Sequence, residues 1–494
     1  VDEPTAREYL AKGVYELQRK APNWLKRQRY NDGDHDLPYA PEGVNQEYME
    51  LREMAVANWV HLAMTAPIQR CRAEGFRTGR DGDADQVAWS EVWQPNKLDA
   101  RQRIVYEQMM VHGRGVMSVW PNPRESKSPF IRVENDRRVH IEPDPEDPFS
   151  AKFTVKTFTI EARPPSTLWV PSSAAVTPTT DVAIVYDADS WVRFEKPGGV
   201  GGQSETLGPW EIADGGDNPL GENPFVAFDN QLDADGRPHS ALEPLIPAQD
   251  AINTIRFNTL LAMQFSAFRQ RVFVGYDPVQ RDEAGNPVIR KDAEGNDVVD
   301  ANGMKVPVIN SPGRVSVDRA LVFPGSETKV FDLQESNLKN YIDVLGEFLT
   351  QLFAVGQIPP QYLLSRMANL SGDALAGAES TLAALVADLQ MSMGESLEHV
   401  MRLANRARGE ANPDLSSEVI WADAEARSFA QTIDAITKLV STGFPREAAF
   451  EMIPGATPPK VTRWMDMVDE DMMRDPVNAA VAESVRAADT QLGA

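Results

Sequence analysis

The chain has 494 residues, 42% of them hydrophobic and 25% charged, and its 49 Lys and Arg against 73 Asp and Glu leave a formal charge of −24. That length predicts roughly two to four compact units with real cores, and the composition excludes a disordered chain or a small disulfide-stapled domain. The acidic balance argues against a protein that grips DNA phosphates through many Lys and Arg, while remaining compatible with a surface past which a polyanion slides. The single cysteine, Cys71, forms no internal disulfide and has no base among its neighbours (QRCRAEGF), so it reads as a buried structural thiol. No run of about eighteen apolar residues occurs, and the amino end VDEPTAREYLAKGVYELQRK lacks an apolar signal core, which predicts a soluble compartment with neither membrane span nor secretory leader.

In chain order, residues 1 to about 245 read as mixed α and β. Glu47 to Cys71 carries Met54, Val56, Trp59, Val60, Leu62, Ala63 and Ile68 at helical intervals, predicting one amphipathic helix bent or finished near Pro67. Leu98 to His112 repeats the pattern up to a Gly113/Gly115 break, and Val116 to Trp120, Phe130 to Val133 and Phe153 to Ile160 alternate as short strands. EPDPEDP at 142 to 148 and PGGVGG at 197 to 202 are loops. From Pro247 the texture changes: Ile252, Ile255, Leu260, Met263 and Phe268 recur between polar residues over a helix of about 23 residues, roughly 34 Å long. Gly285, Gly295 and Gly303 then separate short β-prone runs, a hairpin signature of an exposed, protruding module. A second helix, Leu333 to Val355, carries Leu338, Ile342, Leu345, Leu349 and Leu352 as one stripe. After Gly356, paired Pro359 and Pro360 forbid helix, and Ser371 is placed to cap a third helix, Asp373 to Arg408. At about 36 residues, roughly 54 Å, that helix exceeds what a compact core needs and is expected to pack in part on something else. Shorter helices at Ser428 to Thr442, Arg446 to Ile453 and Val461 to Arg474 follow between prolines, and the chain is expected to fray from Val477.

The strings that carry catalysis are missing. A nucleotide-driven motor or kinase needs G-x-x-x-x-G-K-[ST] to cradle a triphosphate, and no such string occurs. The six histidines are scattered, with no H-E-x-x-H and no pair at metal-ligand spacing. NDGDHD at 31 to 36 and DGDADQ at 81 to 86 open like a calcium loop, but Leu37 and Gly43 in one, and Gln86 and Val92 in the other, stand where that loop needs its glycine and glutamate. No G-x-S-x-G elbow is present. The expectation is no catalytic residue, no metal and no cofactor. The rival reading is an acidic metal-dependent hydrolase with Asp32, Asp34, Asp81 and Asp83 as ligands, which needs carboxylates converging from several strands.

Short strings in a fixed order carry a resemblance over nearly the whole chain. They are RQRYNDGDHDLPY at 27 to 39, with an Arg-Tyr-x-x-Gly-x-His pattern; NWVHLAMTAPIQRCRAEGFR at 58 to 77; and Trp93, Asn96, Leu98 and Gly113 within 92 to 120. The most specific are Pro247, Asp250, Ile252 and Asn253 at a helix start, and Pro359, Pro360, Leu363, Ser371, Gly372, Ala374 and Leu375. Together they resemble the portal proteins of long-tailed double-stranded DNA bacteriophages, in particular the siphophage family of Gram-positive and actinobacterial hosts.

The resemblance implies an α+β portal fold and a ring-forming homo-oligomer of about twelve subunits at one capsid vertex, a dodecamer with no enzymatic role. Phage double-stranded DNA is packaged and ejected through its axial channel. Terminase, major capsid and scaffold proteins and a head-completion adaptor are the implied partners, with no membrane, and the protein resides in the virion after assembly in the host cytoplasm. The implied division is 1–246 wing, 247–270 first stem helix, 271–332 clip, 333–355 second stem helix, 356–372 tunnel loop, 373–408 long wing/crown helix and 409–494 crown and C-terminal tail. Gln357, Gln361, Tyr362, Arg366 and Asn369 are the tunnel-loop candidates for touching DNA without reading sequence, while Leu363, Leu364 and Met367 offer the alternative of packing the loop down. Arg256, Arg269, Arg271 and Lys339 on the stem face either the bore or an Asp or Glu of the neighbouring subunit. An acidic bore repels phosphates and lowers the friction of a sliding duplex. A head-completion or collar ring without long stem helices is the milder alternative.

Overall fold

The computed structural model describes residues 2–40, 46–78, 84–161, 179–197, 209–267, 271–274, 279–309, 329–332, 338–359, 362, 372–410, 413–422, 429–453, 456 and 458–474. Its helices are α1 (Glu3–Asp32), α2 (Gln46–Ala55), α3 (Trp59–Ile68), α4 (Leu98–His112), α5 (Ile246–Ala267), α6 (Leu338–Val355), α7 (Gly372–Ala407), α8 (Phe429–Ser441), α9 (Arg446–Glu451) and α10 (Pro458–Arg474). The strands are β1 (Ala73–Arg77), β2 (Arg114–Trp120), β3 (Phe130–Glu134), β4 (Val139–Pro143), β5 (Ala151–Glu161), β6 (Thr179–Tyr186), β7 (Ser190–Pro197), β8 (Glu211–Asp217), β9 (Phe225–Asp229), β10 (Arg271–Val274), β11 (Lys329–Asp332) and β12 (Glu418–Trp421). The chain is thus mixed helix and sheet, in two units: residues 1–36, 56–252 and 347–494 form one, and 37–55 and 253–346 the other.

The first unit begins with α1, which the sequence pattern did not reveal. Pro4 fits its first turn, where no N–H partner is needed, and Gly33 ends it in the left-handed region (φ 88°), so that the Asp34 N–H donates back to the Arg29 carbonyl at 2.8 Å. Buried Ala6, Leu10, Gly13 and Leu17 share one face of α1. That face lies on a five-stranded antiparallel sheet in the order β4-β5-β6-β7-β8. Val155 stands opposite Val185 and Ala183 opposite Phe194, and with Phe153 these close a core under Ala6 and Leu10. A Cβ on Gly13 would intrude on Val155 Cγ2, so the glycine is what lets helix and sheet approach this closely.

The second sheet, β3-β2-β9, is also antiparallel. α4 stops at Gly113 (φ 93°), turns straight into β2 and packs against it, since a Cβ on Gly115 would intrude on the Val105 carbonyl. α7 covers the edge strand β9: the Ser392 and Ser396 hydroxyls, one helical turn apart, donate to the Asp229 and Ala227 carbonyls at 2.9 Å each. From Leu382 the buried stripe of α7 (Val386, Leu389, Met393, Leu397, Val400, Ala404) packs inside this unit, against β2, β9 and β12. Over that stretch the chain's own sheet takes up the apolar face. The single helix expected over Glu47 to Cys71 is also two, α2 and α3, with 56–58 non-helical and the Asn58 side chain accepting from the His61 N–H at 3.1 Å as the cap of α3.

In the second unit β10 and β11 pair antiparallel, Arg271 opposite Asp332 through Val274 opposite Lys329. Residues 279–309 hold the three expected turns. In each, an Asp side-chain oxygen (Asp282, Asp292, Asp300) accepts from the N–H four residues on at 2.8–2.9 Å, and the glycine before it (Gly285, Gly295, Gly303) is left-handed. The flanking segments close two rings of backbone hydrogen bonds. In one the N–H groups run Gln280 to Val308 to Val288 and back to Gln280; in the other, Arg290 to Val306 to Val298 and back to Arg290. No residue of 279–309 is fully buried, so backbone bonding rather than a core holds this module.

Candidate functional site: the junction of the two long helices

α5 and α6 each have one end in the first unit, and residues of three of the resemblance strings, at 27–39, 58–77 and 247–253, meet near the start of α5. Tyr30, in the last turn of α1, donates its hydroxyl to Asp250 Oδ1 at 2.7 Å in the first turns of α5. Burial first, and the Asp250 carboxylate second, push the Tyr30 hydroxyl pKa well above its ordinary value, so the phenol stays a donor. His35 stacks on Tyr30 (4.7 Å, 15°) and its Nε2 donates to the Tyr30 carbonyl at 3.0 Å. Asn31 joins three elements. Its Nδ2 donates to Glu107 at 2.9 Å, its Oδ1 accepts from His61 Nδ1 at 3.1 Å, and its carbonyl accepts from Asn58 Nδ2 at 2.8 Å. Fully buried Gln249 accepts from the Trp59 and Val60 N–H groups (3.0 and 3.3 Å) and donates to the Ala57 carbonyl (2.7 Å), which ties the start of α5 to the start of α3. Every polar atom of that buried amide is therefore used.

The far end of α6 docks on the same helix α3. Phe353 meets Trp59 edge-on at 6.0 Å, and Leu352, Phe353 and Ile358 are buried. α6 ends at Val355, as expected. Gln357 takes the left-handed conformation (φ 54°), the Ile358 N–H reaches back to the Phe353 carbonyl at 2.9 Å, and the Gln357 N–H to Ala354 at 3.3 Å. The chain therefore enters the 356–372 segment from a fixed cap.

Of the loop candidates, Gln357 is this exposed cap, and Tyr362 is 42% exposed with its N–H on the Pro359 carbonyl at 3.2 Å. Gln361, Arg366 and Asn369 lie outside the described residues, as does Arg269. Arg256 sits on α5, half-buried, with one guanidinium N–H toward the Met54 carbonyl at 3.5 Å, and burial lowers its pKa. Arg271 lies in β10 and exposed Lys339 in the first turn of α6. These cations stand on three elements rather than in one cluster. Of the rival hydrolase ligands, Asp32 accepts from Gln28 and Asp34 pairs with Arg29, both at 2.8 Å, while Asp81 and Asp83 lie outside the described residues. Among the described residues no group of His, Cys, Asp and Glu is placed to hold a metal, and no helix is long and apolar enough to cross a membrane. Cys71 is buried, which pushes its thiol up to about 12. The residues sequence reasoning missed are Gln249, Asn31 and Asn58; the available signal was a polar residue inside each quoted motif.

Residues 11–472 match the family model described as phage portal protein, SPP1 Gp6-like. The chain belongs to this portal family. Two portal proteins, of Mycobacterium phages L5 and D29, are 26% and 27% identical to it over 440 and 441 residues, covering 85% of this chain and 80% and 81% of theirs. Two solved structures from gene transfer agent (GTA) particles align as well. A chain in the neck of the empty particle computed with C6 symmetry gives a TM-score of 0.42 and one in the native virion 0.39, each at 11% identity over 83% of this chain and 93% of the other. In this chain the Tyr30–Asp250 and Gln249–α3 bonds fix where α5 begins, and Phe353 on Trp59 fixes where α6 ends.

Proposed function

We propose that the chain forms a closed ring, of about twelve copies, at one vertex of a phage capsid, and that phage double-stranded DNA enters and leaves through its axial channel. The match to the portal family over residues 11–472 carries this reading. On it, 1–246 is the wing, 247–270 and 333–355 the two stem helices, 271–332 the clip, 356–372 the tunnel loop, 373–408 the long wing/crown helix and 409–494 the crown and tail. Terminase, capsid or scaffold protein and a head-completion adaptor dock on it, and it assembles in the host cytoplasm. The physics agrees with a passive conduit. A charge of −24 disfavours tight binding of a polyphosphate, so the duplex meets little friction. Gln357 and Tyr362, with Gln361, Arg366 and Asn369, supply a polar loop suited to non-specific contact. Arg256, Arg269, Arg271 and Lys339 guide DNA or pair with the neighbouring subunit's carboxylates. Negative-stain micrographs of the purified protein are expected to show annular particles with an open centre; lone compact particles contradict the proposal.

A further inference from the structure

We infer that neighbouring copies join head to tail through opposite charges at the two ends of the five-stranded sheet; the inference rests on the ring reading above. At one end, on the face that α1 covers, a groove of about 500 Å³ is lined by Arg137, Arg138 and Lys196, by the rings of Phe158 and Trp210, and by a single carboxylate, Asp181. Asp181 is engaged by the Thr159 hydroxyl at 2.8 Å. Arg137 lies over the Trp24 ring at 5.7 Å and Lys196 over Trp210 at 4.5 Å, and among the described residues none of the three cations has a carboxylate partner. In a chain with 73 acidic residues against 49 basic ones, three such cations around two aromatic rings form a surface made for an acidic, ring-bearing occupant.

The opposite end of the sheet has that chemistry. The turn between β4 and β5 carries Asp144, Glu146 and Asp147, the turn between β6 and β7 carries Asp187 and Asp189, and neither turn contains Lys or Arg. The first turn is held in shape before any partner arrives. The Asp144 N–H donates to the Ser150 carbonyl at 2.8 Å, Asp144 Oδ1 accepts from the Glu146 N–H at 2.9 Å, and Asp147 Oδ1 from the Phe149 N–H at 3.2 Å, between Pro143, Pro145 and Pro148. It presents Phe149, 68% exposed, beside its carboxylates. β4 separates basic Arg137 and Arg138 from this acidic turn by about 17 Å, so the two surfaces neither overlap nor meet within one copy. Two complementary, non-overlapping surfaces on one chain define a heterologous contact, the kind that repeats around a ring, whereas a two-fold contact would bring like charges together. Phe149 of one copy enters between the rings of the next, and its flanking carboxylates meet Arg137, Arg138 and Lys196.

The test is a charge swap followed by native mass spectrometry and sedimentation, with thermal melts of each protein. R137E/R138E alone and D144K/E146K alone are each expected to raise the concentration for half-assembly by at least about tenfold. Mixing the two variants, or placing all four substitutions in one chain, is expected to restore rings. Rings from either single-sided variant at the wild-type concentration overturn the interface, as does failure of both rescues with chains that melt like the wild type. In those outcomes wild-type rings remain; a wild-type chain that forms none removes the ring reading itself along with the interface.

Discussion

His112 shows how a single buried side chain sets a pH limit on this fold. It ends α4 with its ring stacked on Trp24 (4.3 Å, 15°) and Nε2 at 3.0 Å from the Gln28 side-chain oxygen. Burial, then the charges of Arg27 and Lys20, push its pKa down to about 3 from the ordinary 6.5. The unfolded chain takes up this proton as the pH falls below about 6.5, and the folded chain only near 3. The stability present above that window is therefore lost as pH falls through it, at about 1.4 kcal/mol per pH unit. His112→Phe keeps the stack and is expected to remove about one proton's worth of slope from urea unfolding compared at about pH 7 and pH 5; an unchanged slope contradicts the assignment. Gly13 is the other decisive residue. Gly13→Val forces a Cβ against Val155 and is expected to cost about 1–3 kcal/mol in thermal unfolding, and a melt equal to the wild type counts against the helix-on-sheet packing. Neither role was legible in the sequence. His112 read as one scattered histidine, and Gly13 and Pro22 look like breaks in α1 because local propensity argues against a helix that a sheet 140 residues onward stabilises.

Among the elements, α5 and α6 were legible because each repeats apolar residues on one helical face, α7 because its run is rich in Ala, Leu and Glu, and the three turns at Gly285, Gly295 and Gly303 because a left-handed residue demands glycine. The five-stranded sheet was only partly so. β8 (EIADGGD) has no alternation and is exposed along its whole length, and β6 and β7 are specified by pairing partners rather than by their own pattern. The break between α2 and α3 stayed hidden because Asn58 becomes a cap only where Asn31 and Gly33 meet it. The end of α6 at Val355 was legible as well, where the apolar run stops short of Gly356. The stripe on α6 is the element-scale test of assembly. Ile342 is 62% exposed, and Leu345 and Leu349 are only partly covered, so among the described residues this apolar face lacks a full partner. Leu345→Asp is expected to leave the far-UV circular dichroism of the single chain unchanged and to abolish rings in sedimentation; a full ring from this variant contradicts the stripe's role.

At the scale of the molecule, the bracket around Tyr30, Gln249 and Asp250 anchors the start of α5, and Trp59 with Phe353 anchors the end of α6, while the chain's net charge stays far on the acidic side. Family membership was legible because short strings keep their order along the sequence, and three of them, at 27–39, 58–77 and 247–253, supply Tyr30, Trp59, Gln249 and Asp250 of that bracket. The number of copies in the proposed ring was not, because a small rotation from one copy to the next is a property of an interface and not of any string. The mass of the native assembly tests the central claim most directly. A closed ring gives a single species of about twelve times the 54.7 kDa chain, stable on dilution. A folded, concentrated protein that stays at the mass of one chain contradicts it.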